Sequence, residues 1–436
     1  MIALLRKILP KGAFDIYHRI LAGIAAIVYR HPSREMIVIG VTGTSGKTST
    51  CYFLSKALEA GGAKTGMTST ALFKIGDNEW TNNTKMTMLG RFRLQKLLRE
   101  MVDEGCRYAV IETSSQGILQ HRHKEIAYDV CVFTNLSPEH IEAHGGFENY
   151  KRSKIELFRH TAALPPKSIE GAAVPRLAVL NADSEHAKDF RVEGFDKVLT
   201  FGLSEEADVR GLYVEETKDH VSFTVGETTF SIHTPGRVMA YNALAAITVA
   251  EALDIPREDV AKRLEAVQGI PGRYEFINEG QPFTVIVDFA FEPNAQERLF
   301  DFVDTIKESG KVIHVTGSTG GGRDVARRAV LGALSAKRAD ITIVTNEDPY
   351  DDDPRSIIDM VANGAAEAGG KEGETLFRIN DRAEAIGKAV SFAHEGDVVL
   401  VTGKGSEPVM AVAAGKLIPW DDREEVRKAL HAVAKS

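Results

Sequence analysis

The fold of this chain is decided by the stretch Val38-Ile39-Gly40-Val41-Thr42-Gly43-Thr44-Ser45-Gly46-Lys47-Thr48-Ser49. An apolar strand runs directly into a glycine-containing loop that ends in Lys-Thr. In such a loop, backbone N–H groups approach phosphate oxygens, the lysine reaches the β- and γ-phosphates, and the neighbouring hydroxyl suits Mg²⁺. We therefore predict a nucleotide-binding loop over Gly43, Thr44, Ser45, Gly46, Lys47, Thr48 and Ser49. An ordinary glycine-rich turn is the alternative, because five residues separate Gly40 from Gly46 in place of the usual spacing.

Length and charge limit the class of protein. The chain has 436 residues, more than one hydrophobic core usually supports, so two or three domains are expected. Its formal net charge of −8 argues against a general nucleic-acid-binding protein. Three cysteines without metal-ligand spacing predict buried free thiols in a reducing, cytoplasmic compartment. They are Cys51, Cys106 and Cys131.

Residues 1–35 contain a short apolar run, Leu21 to Tyr29, preceded by basic residues. The run is shorter than the roughly 20 residues of a membrane span, and no small-residue cleavage site precedes Arg30. We therefore predict a helix that packs on the next domain. A helix lying on the inner face of the membrane through residues 1–30 stays open, because basic and apolar residues alternate there.

From residue 36 onward, apolar strands alternate with helical patterns, which predicts an α/β fold with ligands at the carboxyl ends of parallel strands. Glycine and proline at Gly269–Arg273 mark a boundary. The prediction is a central P-loop ATPase domain over 36–270 with a mostly parallel sheet, and a Rossmann-like α/β domain over 271–436. The predicted strands are 36–41, 108–112, 130–135, 177–181, 284–288, 311–316, 341–345 and 398–402, with an antiparallel insertion within 209–233.

Two predicted strands end in polar side chains next to the loop. Glu112 follows the strand that starts at Tyr108, and a carboxylate at that place suits Mg²⁺. The next strand leads to His140, which could bind a metal or a phosphate oxygen, although a lone histidine is more often structural.

These motifs together resemble the Mur ligases, the ATP-dependent amino-acid ligases of peptidoglycan precursor synthesis. The resemblance spans about residues 36 to 436 and is strongest to the UDP-N-acetylmuramoyl-tripeptide synthetases. The segments that carry it are 43–48, 112–115, 134–140, 150–158, 271–275, 287–293, 321–324, 346–349 and 403–407.

The resemblance implies that ATP phosphorylates a substrate carboxylate and that an amine then displaces phosphate. Lys47 and Arg273 would bring the anionic partners together. Two Mg²⁺ ions are implied, one held by Thr48 and Glu112 and the other by His140 and a carbamylated Lys154, for which a plain salt bridge is the alternative. Asn242 and Asp288 match positions that bind the base or ribose of the nucleotide.

The resemblance also implies where the substrates bind. Acceptor contacts fall on Thr87, Ser114, Gln116 and Arg122, and amino-acid contacts fall on Arg323, Asp348, Pro349, Tyr350, Gly403 and Glu407. In the family, an Asp-Asn-Pro-Arg sequence selects a diamino acid through its terminal carboxylate, which arginine grips bidentately. Here the sequence is Glu347-Asp348-Pro349-Tyr350, and tyrosine cannot form that fork unless Arg355 or Arg323 compensates. The added amino acid therefore stays open.

The partner molecules also stay open at this point. The family carries an additional N-terminal domain that grips UDP, whereas only about 35 residues precede the central domain here. The acceptor is thus either a UDP-linked or a lipid-linked muramoyl peptide. The alternatives for the whole chain are a folylpolyglutamate or polyamide-type ligase, an amidating subunit that requires a glutaminase partner, and a nucleotide-binding regulatory protein without catalysis.

Overall fold

The computed structural model describes residues 11–139, 141–322 and 324–434, with side chains from residue 16 onward. Two large sheets dominate it. The first has nine strands, in the spatial order β11-β10-β9-β6-β1-β5-β2-β3-β4. In chain order they are β1 (Ile37–Thr42), β2 (Thr65–Thr68), β3 (Leu72–Ile75), β4 (Asn78–Thr81), β5 (Tyr108–Glu112), β6 (Val130–Phe133), β9 (Leu177–Asn181), β10 (Lys197–Gly202) and β11 (Val209–Arg210). Its pairings are parallel except those of β2 with β3 and of β3 with β4, which are antiparallel.

Two smaller antiparallel sheets accompany the first one. They are the hairpin of β7 (Lys167–Ile169) and β8 (Ala172–Val174), and the three strands β12 (Leu212–Glu216), β13 (Val221–Val225) and β14 (Thr228–Ile232). The second of these confirms the antiparallel insertion predicted within 209–233.

The second large sheet has six strands, in the order β15-β16-β20-β17-β18-β19. All of its pairings are parallel except that of β15 with β16. Its strands are β15 (Glu275–Phe276), β16 (Thr284–Asp288), β17 (Val312–Thr316), β18 (Ile341–Thr345), β19 (Leu376–Ile379) and β20 (Val398–Thr402). A separate hairpin of β21 (Val409–Val412) and β22 (Lys416–Pro419) follows.

Helices cover both large sheets. They are α1 (Lys11–Val28), α2 (Lys47–Glu59), α3 (Arg91–Asp103), α4 (Ser115–Leu119), α5 (Ile141–His144), α6 (Phe147–Ala162), α7 (Arg237–Ala252), α8 (Arg257–Glu265), α9 (Pro293–Ile306), α10 (Arg327–Arg338), α11 (Pro354–Glu367), α12 (Arg382–Phe392) and α13 (Asp422–Val433). The central strand β1 is buried along its whole length. Its Val38 packs into the core on one face of the sheet, while Ile39 and Val41 pack into the core on the other. Burial on both faces is typical of parallel sheets covered by helices, so the predicted α/β fold is confirmed.

Helix α1 packs on α3 through small residues and turns a row of large apolar residues outward. Ala22, Ala25 and Ala26 are buried, whereas the four isoleucines of the outward row are 46–67% exposed. This outward row, which we call the isoleucine stripe, consists of Ile16, Ile20, Ile24 and Ile27. Within the described residues, no helix combines the length and the apolar character needed to cross a membrane.

The carboxyl ends of the strands in the two large sheets face a common cleft. Arg298 of α9 donates to the Ser45 hydroxyl at 3.0 Å, and the Ala326 amide before α10 donates to Glu142 of α5 at 3.3 Å. These contacts join segments that lie more than 180 residues apart in the chain. The cleft is therefore assembled from both halves of the molecule.

Candidate active site

The loop between β1 and α2 has the geometry of a phosphate cradle. Gly46 caps α2 with a φ of 80°, and a Cβ atom there would lie 2.5 Å from the Asn242 side-chain oxygen. Asn135, which follows β6, accepts from the Ser45 amide at 3.0 Å and so holds the loop open. Lys47 is the first residue of α2, and its ammonium donates to the Thr44 carbonyl oxygen at 2.7 Å. Backbone N–H groups at the start of a helix, together with this lysine, can hold a phosphate chain.

A buried carboxylate lies beside the loop. Glu112 at the end of β5 is 1% exposed and accepts from the Thr48 hydroxyl at 2.9 Å. Thr70 donates to the same carboxylate from its amide at 2.7 Å and from its hydroxyl at 3.0 Å. The Thr70 and Thr87 hydroxyls are also hydrogen-bonded to each other, at 3.0 Å. A hydroxyl and a carboxylate this close form an oxygen donor set of the kind that Mg²⁺ prefers.

Lys154 lies under the loop, on α6. Its side chain is buried, its ammonium donates to the Gly43 carbonyl oxygen at 2.6 Å, and it lies 4.4 Å from the centre of the Tyr150 ring. Burial and then the nearby Lys47 hold the pKa of Lys154 well below its usual range, against the opposing effect of Glu139 and Glu112. A lysine with a depressed pKa has more of the neutral, nucleophilic amine at neutral pH.

Arg273 reaches the loop from the other half of the molecule. Its guanidinium lies 3.5 Å from the Thr48 hydroxyl and 4.4 Å from the centre of the Phe289 ring. Asp288 at the end of β16 accepts from the backbone amides of Tyr274 and Ala290, both at 2.7 Å. Burial raises the pKa of Asp288, although Arg273 opposes this. Asp288 therefore fixes the backbone directly after Arg273 and the start of the loop that follows β16.

The loops after β18 and β20 form the opposite wall of the cleft. Lys404 is fully buried and bonds both oxygens of Asp348 at 3.1 Å and Glu407 at 2.8 Å. Asp348 also accepts from the Ala411 amide at 2.7 Å. The adjacent Glu347 is 2% exposed, and its Oε2 atom has no hydrogen-bond partner. Burial and the charge of Asp348 raise the pKa of Glu347 to about 7.

The cleft brings together most of the residues predicted from the sequence. Gly43 supplies the carbonyl oxygen that Lys154 bonds. The predicted residues that line the cleft are Thr44, Ser45, Gly46, Lys47, Thr48, Ser49, Thr87, Glu112, Ser114, Lys154, Asn242, Arg273, Asp288, Asp348, Tyr350, Gly403 and Glu407.

Some predicted residues do not line the cleft. Arg122 donates to the Met88 carbonyl oxygen and to Gln120, so it supports a neighbouring loop. Pro349 is buried, and Gln116 lies within the short helix α4. His140 and Arg323 fall outside the described residues.

Sequence reasoning missed several residues of the cleft. Thr70 and Lys85 come from segments without a recognisable motif, and Glu347 was not assigned a role. Arg355, considered as a replacement for the missing arginine, is exposed on α11, whereas Arg327 at the start of α10 does line the cleft. Arg327 and Arg328 give the start of α10 a basic character, and this pattern could have identified Arg327 from the sequence.

The fold and this site define a class of protein, an α/β protein with a phosphate-binding loop in a cleft between two sheets. Comparison with known proteins narrows the class. The model of the Mur ligase middle domain matches residues 41–250, and that of the Mur ligase glutamate ligase domain matches residues 272–405. The chain belongs to the Mur ligase family, whose members are ATP-dependent ligases that form amide bonds in peptidoglycan precursor synthesis. The predicted acid–amino-acid ligase is thereby confirmed.

Individual relatives agree with this assignment. A UDP-N-acetylmuramyl-tripeptide synthetase from Roseiflexus sp. (strain RS-1) is 42% identical over 422 residues, which cover 94% of this chain and 81% of the relative. A UDP-N-acetylmuramoyl-L-alanyl-D-glutamate–2,6-diaminopimelate ligase from Halalkalibacterium halodurans is 32% identical, with 94% and 82% covered. A solved structure of a ligase of the latter name superposes with a TM-score of 0.59 at 25% identity, covering 92% of this chain and 79% of that one.

Proposed function

We propose that this chain adds one amino acid to the peptide carboxylate of a muramoyl peptide, through an acyl phosphate formed with ATP. The observation that carries the proposal is the convergence of Lys47, the Thr48–Glu112 pair, Lys154 and Arg273 on one cleft. A site that only bound nucleotide would not need a buried lysine and an arginine aimed at the same loop. The tripeptide-synthetase and diaminopimelate-ligase names of the relatives support a muramoyl peptide as the acceptor.

The residues suit the two steps of this reaction. In the first, a carboxylate oxygen of the acceptor attacks the γ-phosphorus of ATP, and ADP leaves. In the second, the amine attacks the carbonyl carbon and loses one proton to solvent, and phosphate leaves with that oxygen. Lys47 and Arg273 lower the repulsion between the two anionic reactants, and the Thr48–Glu112 pair fits the first of the two expected Mg²⁺ ions. When bound, Mg²⁺ neutralises phosphate charge during transfer.

Lys154 suits conversion to a carbamate. The ammonium would first lose one proton, and the neutral amine nitrogen would then attack the carbon of CO₂ and lose a second proton to solvent, which turns a cation into an anion. An anionic oxygen ligand under the loop, together with His140, would then serve the second Mg²⁺. The depressed pKa of Lys154 supports this proposal, because only the neutral amine reacts.

Each of the two large sheets would contribute the binding residues for different substrates. Residues 36–270 would hold ATP and the acceptor, which Thr87 and Ser114 would contact from the same cleft. Residues 271–436 would hold the incoming amino acid through the loops that carry Asp348 and Glu407. The Tyr350 side chain takes the place that an arginine fills in the resembling motif, so a diamino acid with a terminal carboxylate is disfavoured.

The isoleucine stripe supports a location at the membrane surface. An apolar row with the exposed Arg19 on the same helix and the exposed Arg30 two residues beyond its end has the pattern of helices that lie in the interface of an anionic bilayer. Sedimentation with vesicles containing phosphatidylglycerol tests this. We expect binding that Ile20→Ser/Ile24→Ser abolishes, and equal sedimentation of both proteins would contradict it.

The function is tested by phosphate release with ATP and Mg²⁺ over a panel of UDP-linked and lipid-linked muramoyl dipeptides crossed with amino acids. Product masses identify both substrates. We expect one acceptor to gain one amino-acid residue. A gain that corresponds to amidation would indicate the glutaminase-dependent alternative, and product from folate alone would indicate the folylpolyglutamate type.

A further inference from the structure

A lysine from the first half of the molecule forms ion pairs with two neighbouring carboxylates of the second half. The Lys85 ammonium lies 2.5 Å from Asp348 Oδ2 and also bonds Glu407. The Lys85, Asp348 and Glu407 side chains are 10%, 4% and 15% exposed. Burial alone would lower the pKa of Lys85, but Glu407 and Asp348 raise it above its usual value. Lys85 therefore stays charged in the cleft.

The loop that carries Lys85 is built to present it there. Asn82 is buried, donates to the carbonyl oxygens of Ser69 at 2.8 Å and Met86 at 3.0 Å, and accepts from the Thr84 amide at 2.9 Å. Lys85 itself has a φ of 54°. A residue other than glycine keeps such a backbone only where its surroundings hold it, and such positions cluster at ligand sites. The contact is thus a fixed feature of the loop.

Charge balance decides what else the carboxylate pair can accept. Lys404 and Lys85 supply two positive charges against the two negative charges of Asp348 and Glu407. A second ammonium group on a substrate would lie beside the ammonium groups of Lys404 and Lys85 in a buried site, where like charges repel strongly. Because Lys85 is tethered, it also competes at a high effective concentration.

One carboxylate in this wall is left for a single substrate ammonium. Glu347 has an unpartnered Oε2 atom, is almost fully buried, and lines the same cleft. A buried carboxylate oxygen without a partner in the protein requires a hydrogen-bond donor, which a ligand or a water molecule can supply. The wall therefore offers one vacant acceptor next to a pair that is already filled.

We propose that Lys85 is a specificity-determining residue that closes the cation subsite of Asp348 and Glu407, so that the incoming amino acid carries only one ammonium group. This rests on the proposed function, in which these loops hold the amino acid. The added residue is then an amino acid whose side chain carries no ammonium group, and removal of the Lys85 charge opens the subsite to a diamino acid.

L-Lysine and L-norleucine test the proposal, because they differ by one terminal ammonium. We would measure kcat/KM for both, and their binding by calorimetry in the presence of an ATP analogue, with the full chain. We expect the wild type to favour norleucine. We expect Lys85→Met to shift the ratio toward lysine by about tenfold or more, equivalent to about 1.4 kcal/mol.

Three variants sharpen the result. Adding Asp348→Asn to Lys85→Met removes one carboxylate and should cancel the gain for lysine, while restoring charge balance if the single variant is unstable. Lys85→Arg keeps a cation and should keep the ratio on the norleucine side. Lys64→Met removes an exposed lysine outside the cleft and should leave the ratio unchanged.

The outcomes separate the two proposals. A wild type that favours lysine, a ratio that Lys85→Met leaves unchanged, or an absence of binding by both ligands to both proteins would overturn the role of Lys85. If the wild type forms no product with any amino acid but calorimetry shows the expected shift, the proposed ligation fails while the role of Lys85 stands.

Discussion

At the residue scale, burial and the nearby Lys47 hold the pKa of Lys154 well below its usual range. If it forms the carbamate, Lys154→Ala should abolish ligation, and a small carboxylate such as acetate should restore part of it by supplying the missing anion. Ligation rates with and without acetate measure this. Lys151→Ala on the same helix is the control, since Lys151 pairs with Glu148 and Asp189 at the surface. Full activity of Lys154→Ala would remove Lys154 from the mechanism.

Glu347 makes stability depend on pH. Its pKa rises from about 4.5 to about 7 on folding, so the folded state binds the proton more tightly than the unfolded state. The stabilisation is complete below about pH 4.5 and is lost as pH rises through 7. In the wild type, ionisation of Glu347 should therefore lower the free energy of unfolding by up to about 3 kcal/mol between pH 5 and pH 8. We expect Glu347→Gln to lack this decrease.

Denaturant unfolding at both pH values measures the effect. Glu374→Gln, at a highly exposed position, is the matched control and should follow the wild type. An equal pH dependence in Glu347→Gln and the wild type would show that Glu347 ionises normally.

Local sequence predicted the phosphate-loop side of the cleft better than the opposite wall. Glu112 ends a strand, and Lys47 and Thr48 start the helix that follows the short loop after β1, so the strand pattern itself implies their positions. The Lys85–Asp348 contact joins residues 263 positions apart, and neither flanking segment carries a periodic pattern. Only the closed arrangement of the two sheets brings these two charges together.

At the element scale, strands buried on both faces were the most predictable. The predicted bounds of β5, β9, β16, β18 and β20 agree with the structure, because each is a continuous apolar run. The short strands β2 and β4 were missed. Their sequences, Thr-Gly-Met-Thr and Asn-Glu-Trp-Thr, become strands through pairing with neighbours and not through their own pattern.

Helices α10 and α11 approach each other through glycine. A Cβ atom on Gly364 would lie 2.1 Å from the Ala329 carbonyl oxygen. We expect Gly364→Ala to lower the free energy of unfolding by about 1–3 kcal/mol, since the helices must separate. Gly387→Ala in α12 meets no atom within 4 Å and should raise it by up to about 1 kcal/mol.

Denaturant titration of both variants compares the two sites under the same conditions. The contrast between them isolates packing from helix propensity, because both substitutions are glycine to alanine within a helix. Similar free energies for Gly364→Ala and Gly387→Ala would show that the two helices have room for the methyl group.

At the scale of the whole molecule, function depends on how the two sheets meet. Arg273 and Arg298 reach the phosphate loop from the second half, while Lys85 reaches the amino-acid loops from the first. The sequence analysis predicted two α/β units and, through the family resemblance, a role for Arg273 beside Lys47, but it did not predict that Arg298 and Lys85 also cross between them. Under the proposed function, those crossings place the site of phosphate transfer next to the site of the amine.

Oxygen transfer tests the central claim most directly. The acceptor carboxylate of the muramoyl peptide identified in the substrate panel is labelled with ¹⁸O, and the products of one ligation are weighed by mass spectrometry. An acyl phosphate requires that inorganic phosphate carries one labelled oxygen for each amide formed, with ADP unlabelled. Amide formation with unlabelled phosphate, or with the label in AMP, would contradict the account.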